Sequence, residues 1–394
     1  MKVFFIGFGQ AGGKIVDKFI EFDQRASGGS FRAIAVNTAR TDLMGLQNID
    51  FEDRVLIGQT TVKGHGVGTD NDTGAQITFD EIDIVMNAID RKGIGETEAF
   101  IIVAGLGGGT GSGGAPVLAR HLKKIYTEPV YVLAILPAPE EGRLYSYNAA
   151  RSLATLVKEA DNVILFDNSA WKNEGESIKG AFERLNEEVV RRFGLLFRAG
   201  EVGTLGNVGE MVVDSSEIIN TLKGGGISSV GYAISEVGVQ NPEPERGLLG
   251  RVLRRGPQVE ERRPEDKLMG EDRTSRILSL VRRAMLGRLT LPCEYSTASR
   301  ALVLVAGPPD ELDRKGIEKA KSWVEENIAG VEVRGGDFPA QSRYVAAVVL
   351  LASIADAPRV TNLLEIAKET KATSERIDEE NVLKLDESIE PLFE

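Results

Sequence analysis

The chain has 394 residues, 42% hydrophobic and 27% charged, which is a globular composition too long for one ordinary core, so we expect two domains. Its formal net charge of −12 argues against a protein that coats nucleic acid, because such a protein needs a basic face. The single cysteine excludes an intrachain disulfide, and the two histidines leave no convincing zinc site.

The first half of the chain alternates short apolar runs with amphipathic segments, which is typical of a parallel sheet with crossover helices. The N-terminal run is too short for a signal peptide, and the run at 344–355 cannot span a bilayer. The sequence therefore predicts a soluble, cytoplasmic protein. Strands are predicted at 2–6, 32–36, 99–105, 129–136 and 162–166, with helices at 12–22 and 114–125.

A long helix near 178–199 is predicted to bridge the two halves, since its apolar residues fall on one face. Beyond it, the segment 237–275 is rich in Pro, Gly and charge, so we interpret it as an exposed insertion. The predicted units are a nucleotide domain (1–177), a central helix (178–200), a smaller α+β domain (201–365) and a loosely held acidic tail (366–394). Within the second half, helices are predicted at 214–223, from 276 onwards and at 310–328, and strands at 227–235, 300–309, 330–338 and 344–354.

The first glycine-rich stretch, "GFGQAGGK", follows the first predicted strand and matches the spacing of a dinucleotide-binding turn. That interpretation also needs an acidic residue at the end of the next strand. Here the strand ends in Asn37 and Thr38, and the nearest acid, Asp42, lies past the turn. The dinucleotide interpretation is therefore weakened, and an ordinary strand-to-helix turn explains this stretch equally well.

Two further glycine-rich loops point to a phosphate ligand. The loops at 63–74 and 104–116 each precede a helix, and the second carries glycines that allow tight turns and positive φ. Thr110 and Ser112 add hydroxyl donors beside a helix N-terminus, which favours anions. No Walker motif is present, but three such loops at one sheet edge would hold a triphosphate.

The stretch "GGGTGSG" at 107–113 resembles the signature of the tubulin/FtsZ family. "GFGQAGGK", "VKGHGVG" and "VVDSSEIINTL" resemble its archaeal CetZ group, which is associated with cell shape. The resemblance implies an α/β fold in which a Rossmann-like parallel-sheet GTP-binding domain joins a smaller α+β domain through the central helix. It also implies GTP and GDP as ligands, Mg²⁺ as a cofactor, GTP hydrolysis and head-to-tail filaments.

The resemblance also assigns phosphate contacts to the three loops. Gln10 stands where tubulins place a Gln near magnesium, and Asn37 lies close to the nucleotide. An ordinary helix start for Gln10 and turn chemistry for Thr69 and Asp70 remain alternatives. The implied residues are Gly9, Gln10, Ala11, Lys14, Asn37, Val67, Gly68, Thr69, Gly107, Gly108, Gly109, Thr110, Gly111 and Ser112.

For the base, the resemblance places Asn168 against the ring, Phe182 in a stack with guanine and Asn186 in a hydrogen bond to it. An Asn amide both donates and accepts, which suits guanine. The alternative is that Phe182 is a core residue and Asn186 a solvated one. Glu141 matches the ribose loop, in which Tyr145 stands where FtsZ has an arginine.

Asp214 and Glu217 lie three residues apart, and the spacing alone favours a helix cap. The resemblance implies a different role, in which both acids enter the nucleotide site of the next subunit and act in catalysis.

Three other functions remain open. An FtsZ-type division protein would share the chemistry, a non-polymerising relative would only bind GTP, and a Rossmann oxidoreductase would bind a dinucleotide. Partners are expected to be other copies of the chain. The arginines of 237–275 are predicted to make lateral contacts between filaments, and the alternative is that this segment is a solvated loop. We expect no nucleic acid and no transmembrane segment, and a peripheral membrane partner stays open.

Overall fold

The computed structural model describes residues 1–25, 29–173, 175–176, 178–199, 211, 213–237, 273–340 and 342–388. Ten strands of these ranges form one sheet in the order β3-β2-β1-β4-β5-β6-β7-β10-β8-β9. They are β1 (Val3–Phe8), β2 (Phe31–Asn37), β3 (Arg54–Leu56), β4 (Ala99–Gly105), β5 (Val130–Leu136), β6 (Asn162–Asp167), β7 (Ile227–Glu236), β8 (Arg300–Gly307), β9 (Glu332–Pro339) and β10 (Tyr344–Ile354).

The first six strands pair in parallel, which confirms the predicted parallel sheet. Strands β1, β4 and β5 are buried on both faces, as their continuous apolar runs indicate. Strand β1 lies between β2 and β4, so the strand order reverses between β1 and β4. Ligands of open α/β sheets bind at the carboxyl ends of the strands beside such a reversal. The loops after β1 and β4 are the glycine loops.

The helices cover both faces of the sheet. Two of them, α1 and α6, begin earlier than predicted, inside the glycine motifs. Close packing, rather than a break in the helix, explains the glycines there. A Cβ at Gly12 would lie 2.0 Å from the carbonyl oxygen of Val103. The helices are α1 (Gly9–Arg25), α2 (Arg40–Met44), α3 (Gln59–Val62), α4 (Asn71–Asp80), α5 (Ile82–Lys92), α6 (Gly109–Ile125), α7 (Arg143–Glu159), α8 (Asn168–Trp171), α9 (Ile178–Arg198), α10 (Ser215–Leu222), α11 (Arg273–Leu286), α12 (Arg314–Glu325) and α13 (Pro358–Ser388).

The central helix α9 packs between the two halves of the molecule. Five apolar residues on one face of it are at most 3% exposed and share a cluster with Phe5 and Phe166 of the first half and Val230 and Leu302 of the second. Burial of such a stripe stabilises a long helix more than its intrinsic propensity does. These five residues are Leu185, Val189, Phe193, Leu196 and Phe197.

The second half continues the same sheet. β7 joins β6 through only two residue pairs, and β10 runs antiparallel to both β7 and β8. Helices α11 and α12 cover one face of these strands and complete a separate hydrophobic cluster. The predicted domain limits stay a prediction, since the strands on both sides form one sheet.

The remaining expectations concern the insertion and the tail. Most of the predicted insertion at 237–275, with its arginines between 246 and 263, lies outside the described residues. The segment expected to be a loosely held tail is helical up to Ser388 as part of α13. Among the described residues, no helix is long and apolar enough to cross a membrane.

Candidate functional site

The three glycine loops meet in one cavity of about 710 Å³ at the carboxyl edge of the sheet. Every residue predicted to bind the nucleotide, apart from Ser112, lines it. From the first half these are Gly9, Gln10, Ala11, Lys14, Asn37, Val67, Gly68, Thr69, Gly107, Gly108, Gly109, Thr110, Gly111, Glu141 and Asn168, and from α9 they are Phe182 and Asn186.

Two helix N-termini face the phosphate end of the cavity. Helix α1 begins at Gly9, whose φ of +74° favours glycine, and α6 begins at Gly109 after the N-cap residue Gly108. A Cβ at Gly9 would lie only 3.0 Å from the backbone nitrogen of Gly111, so these two loops touch. The first N–H groups of a helix have no partner inside it and carry a partial positive charge. This end of the cavity therefore suits a chain of phosphates.

The loop at 63–70 is fixed to the loop after β4. The N–H of Gly109 donates to the carbonyl oxygen of Gly68 at 3.1 Å. A Cβ at Gly109 would lie 2.6 Å from Cγ2 of Val67 and 2.7 Å from the carbonyl oxygen of Asp70. Close approach to this loop therefore explains the glycine, and the expectation of positive φ in the stretch 107–113 is wrong.

Two predicted hydroxyl roles differ from the structure, and one predicted turn role agrees with it. The Ser112 hydroxyl donates to the carbonyl oxygen of Gly108, so it is occupied inside α6 and lies away from the cavity. Thr110 does line the cavity, but its Oγ1 lies 2.7 Å from that of Thr38. Asp70 caps α4 by accepting from the N–H of Thr73, which is the turn chemistry that the sequence allowed.

Asp42 gives the cavity a carboxylate that the sequence analysis did not assign. Its oxygens accept from the Gln10 amide at 2.9 Å and from the Asn37 amide at 3.1 Å. Both amides thereby turn their own oxygens elsewhere, and that of Asn37 accepts from the N–H of Ala39. Mg²⁺ prefers oxygen ligands, so the Asp42 carboxylate suits the ion, while Gln10 presents its amide nitrogen to that carboxylate in this structure.

The opposite end of the cavity has the character of a base pocket. Phe182 is 40% exposed and lines the cavity, so the alternative of a core phenylalanine is wrong. Asn168 is hydrogen-bonded to Glu141, which also accepts from the N–H of Ala138 at 2.7 Å. Burial raises the pKa of Glu141 above its usual range, although these bonds oppose it. Tyr145 lines this region where FtsZ has an arginine.

The acidic pair lies outside the cavity, at the start of α10. Asp214 accepts from the N–H of Glu217 at 3.1 Å and from the Ser216 hydroxyl at 2.6 Å, so it caps the helix, and the Ser216 bond lowers its pKa. Glu217 differs, because its Oε2 is buried and accepts no hydrogen bond from the described residues. Burial and the neighbouring Asp214 charge raise the pKa of Glu217.

Asn148 of α7 is the residue that sequence reasoning missed most clearly. Its side-chain amide donates to the carbonyl oxygens of Thr69 at 2.6 Å and Gly107 at 3.1 Å, and it is 2% exposed. It therefore links the loop at 63–70 to the loop after β4. The sequence analysis predicted no helix over α7, and a single asparagine in an unassigned stretch does not specify a partner.

Asn148→Ala should lower the free energy of unfolding by about 1–3 kcal/mol, because two carbonyl groups lose a buried donor. It should also weaken GTP binding, since the loops that carry Thr69 and Gly107 become independent. Asn162→Ala is the matched control, because Asn162 is also buried and donates to two carbonyl oxygens, those of Leu222 and Gly225. Calorimetric unfolding and GTP titration of both variants check this. If Asn148→Ala binds GTP as tightly as Asn162→Ala does, Asn148 has no role in the site.

Comparison with known proteins agrees with this geometry. The family model of the tubulin/FtsZ GTPase domain matches residues 2–175, and that of the tubulin-like CetZ C-terminal domain matches residues 175–369. The tubulin-like protein CetZ1 of Haloferax volcanii is 54% identical over 96% of this chain and 94% of its own length.

Two solved structures are similar over nearly the whole chain. The GDP-bound monomer of Haloferax volcanii CetZ1 has a TM-score of 0.80 at 51% identity, covering 94% of this chain and all of that one. The GTPγS-bound protofilament of CetZ2 from the same organism also has a TM-score of 0.80, at 43% identity, covering 95% of this chain and all of that one.

The chain therefore belongs to the tubulin/FtsZ family, in its CetZ group of tubulin-like proteins. Membership confirms the predicted family and fold, and makes the protein a tubulin-like GTPase of the cytoskeleton. The dinucleotide oxidoreductase interpretation is thereby set aside.

Proposed function

We propose that this protein assembles head to tail and hydrolyses GTP at sites completed between adjacent subunits. One subunit would supply the cavity, and the next would supply Glu217. The supporting observation is that the Oε2 of Glu217 is buried yet accepts no hydrogen bond from the described residues, on a helix that does not line its own cavity. A carboxylate oxygen that is buried without a hydrogen bond is costly, so its retention calls for a function. The protofilament of the CetZ2 relative supports self-association.

Within the cavity, the bound nucleotide would lie with its phosphates at the starts of α1 and α6 and its base against Phe182 and Asn168. Mg²⁺, held by Asp42 and by a Gln10 amide turned to present its oxygen, would neutralise phosphate charge. Phosphoryl transfer depends mostly on positioning and charge stabilisation, which the loop amides provide.

Glu217 would orient the water that attacks the neighbour's γ-phosphate. The pKa of Glu217 is raised, so its carboxylate is a stronger base than that of an ordinary glutamate, which favours a role as general base. Asp214 would hold the first turn of α10 and thereby the direction of Glu217. Splitting the site in this way makes hydrolysis depend on assembly.

GTP turnover per molecule, measured across total protein concentration, tests the proposal. We expect almost no turnover below a threshold concentration and a steep rise above it, with sedimentable filaments appearing at the same threshold. Turnover per molecule that is constant from dilute to concentrated protein would show a complete site in each subunit.

We further propose that the filaments control cell shape, as the resemblance to the CetZ group implies. Deletion of the gene should change cell outline while division continues. Cells that keep their shape but fail to divide would favour the FtsZ-type role.

A further inference from the structure

A buried arginine of the C-terminal helix lies behind the base pocket. Arg359, in the first turn of α13, donates from Nη2 to the carbonyl oxygen of Pro137 at 2.7 Å and from Nε to Asp167 at 3.4 Å. The side chains of Arg359 and Asp167 are 9% and 2% exposed. Pro137 directly follows β5 and Asp167 ends β6, so one guanidinium bridges the carboxyl ends of two strands.

The residues that follow the bridged positions form the base end of the cavity. Ala138, after Pro137, donates its N–H to Glu141, and Asn168, after Asp167, is hydrogen-bonded to the same carboxylate. Asp167 also accepts from the N–H of Ser169 at 3.1 Å, which starts the short helix that carries Asn168. The spacing between Glu141 and Asn168 is therefore set by the two segments that Arg359 holds together.

Asp167 depends on this arginine. Burial raises the pKa of Asp167, while the Ser169 bonds and the Arg359 charge act in the opposite direction. Removing one partner of a buried ion pair leaves an uncompensated charge, and the local backbone must then move or admit water. Any such movement at Asp167 is passed to Asn168 through the next peptide bond.

We propose that Arg359 is a positioning residue for guanine recognition. It touches no nucleotide itself, but it fixes the Asn168 amide against Glu141 in the orientation that suits a purine with guanine's donors and acceptors. The inference rests on the proposed nucleotide site. If it holds, base selectivity depends on a residue of α13, in the C-terminal region. Loss of this positioning lowers selectivity between bases, whereas loss of α13 docking alone lowers stability.

The experiment compares GDP and ADP affinities by titration calorimetry for the full-length wild type, Arg359→Ala and Arg359→Lys. The control is Arg276→Ala, because Arg276 pairs with Glu311 at similar burial, both side chains being 14% exposed, and neither lines the cavity. We expect the preference for GDP over ADP to fall by about tenfold or more in Arg359→Ala, an energy equivalent to one good hydrogen bond. Arg359→Lys keeps the charge but cannot bridge both acceptors, so we expect an intermediate preference. Arg276→Ala should keep the wild-type preference.

An unchanged GDP preference in folded Arg359→Ala would overturn the inference, and so would equal weakening for both nucleotides. If Arg359→Ala does not fold, Arg359→Lys decides, and a wild-type preference in that variant would overturn the inference. A wild type that binds ADP as well as GDP would instead contradict the proposed nucleotide site, so the two failures are distinguishable.

Discussion

Glu217→Ala should bind GTP with wild-type affinity and assemble, yet lose hydrolysis by about 10²–10⁴-fold, the range that a positioned general base contributes. Binding is spared because none of the cavity-lining groups belongs to α10. Filaments of the variant should retain GTP and therefore persist. Turnover, nucleotide content of pelleted filaments and GTP affinity are the three measurements.

The competing explanation is that Glu217 belongs to a helix cap. In the structure, the capping side chain is that of Asp214, which accepts from the N–H of Glu217. Removing a cap costs about 0.5–2 kcal/mol, so Asp214→Ala should lower stability within that range. Glu217→Ala with wild-type turnover and a cap-sized loss of stability would return this residue to the cap.

Glu217→Gln separates function from stability. Because the pKa of Glu217 is raised in the folded state, the ionised side chain destabilises the fold at neutral pH. The stability of the wild type, relative to that of Glu217→Gln, should increase as the pH falls through that raised pKa, where the carboxylate becomes neutral. Glu217→Gln is neutral at every pH, so at neutral pH it should unfold at the same or a higher temperature than the wild type while hydrolysis is lost. A clear drop in its melting temperature would contradict the assignment.

Gly109→Val should abolish GTP binding, with affinity falling more than about a hundredfold. The added side chain would collide with Val67 and with the carbonyl oxygens of Gly68 and Asp70, which lie 2.6–2.8 Å from a Cβ. The loop at 63–70 must then move away from the start of α6. GTP titration and circular dichroism together check that binding is lost while the fold persists.

Two further glycine variants make this prediction specific. A Cβ at Gly108 meets no protein atom within 4 Å, although Gly108 lines the cavity. Gly108→Ala should therefore leave stability unchanged and weaken GTP binding only through contact with the ligand. Gly95→Val is the control outside the cavity, since its Cβ also meets open space. Wild-type GTP affinity in folded Gly109→Val would remove the loop at 107–113 from the site.

The sequence predicted the parts of the fold that depend on local pattern. The buried strands β1, β4 and β5 are confirmed, because a strand that is buried on both faces has an unbroken apolar run. The apolar stripe on α9 is also confirmed, because a helix that is buried on one face repeats apolar residues at the helical period. Strand β3 was missed because its three residues, Arg54–Leu56, are too few to show any period. The helix starts at Gly9 and Gly109 were missed because glycine is a poor helix former, while here close packing selects it.

The site shows a similar division. The glycine motifs and the family resemblance identified more than half of the cavity lining, but Ser112 does not line the cavity, because its hydroxyl donates to a carbonyl oxygen inside its own helix. Asp42, Asn148 and Arg359 were not assigned because their partners lie at least five residues away in sequence, and mostly on other elements. Long-range hydrogen bonds leave no periodic pattern, so only the three-dimensional arrangement identifies them.

The most direct test of the shared active site is GTP turnover in mixtures of Glu217→Ala and Gly109→Val at fixed total concentration. The first variant keeps the cavity and lacks the acid, and the second keeps the acid and lacks the cavity. Co-sedimentation shows that both enter the same filaments. If neighbours complete each other's sites, each pure variant is inactive, and turnover appears in mixtures with a maximum near equal amounts. Co-assembled filaments that stay inactive at every ratio would show that the acid and the cavity act within one subunit.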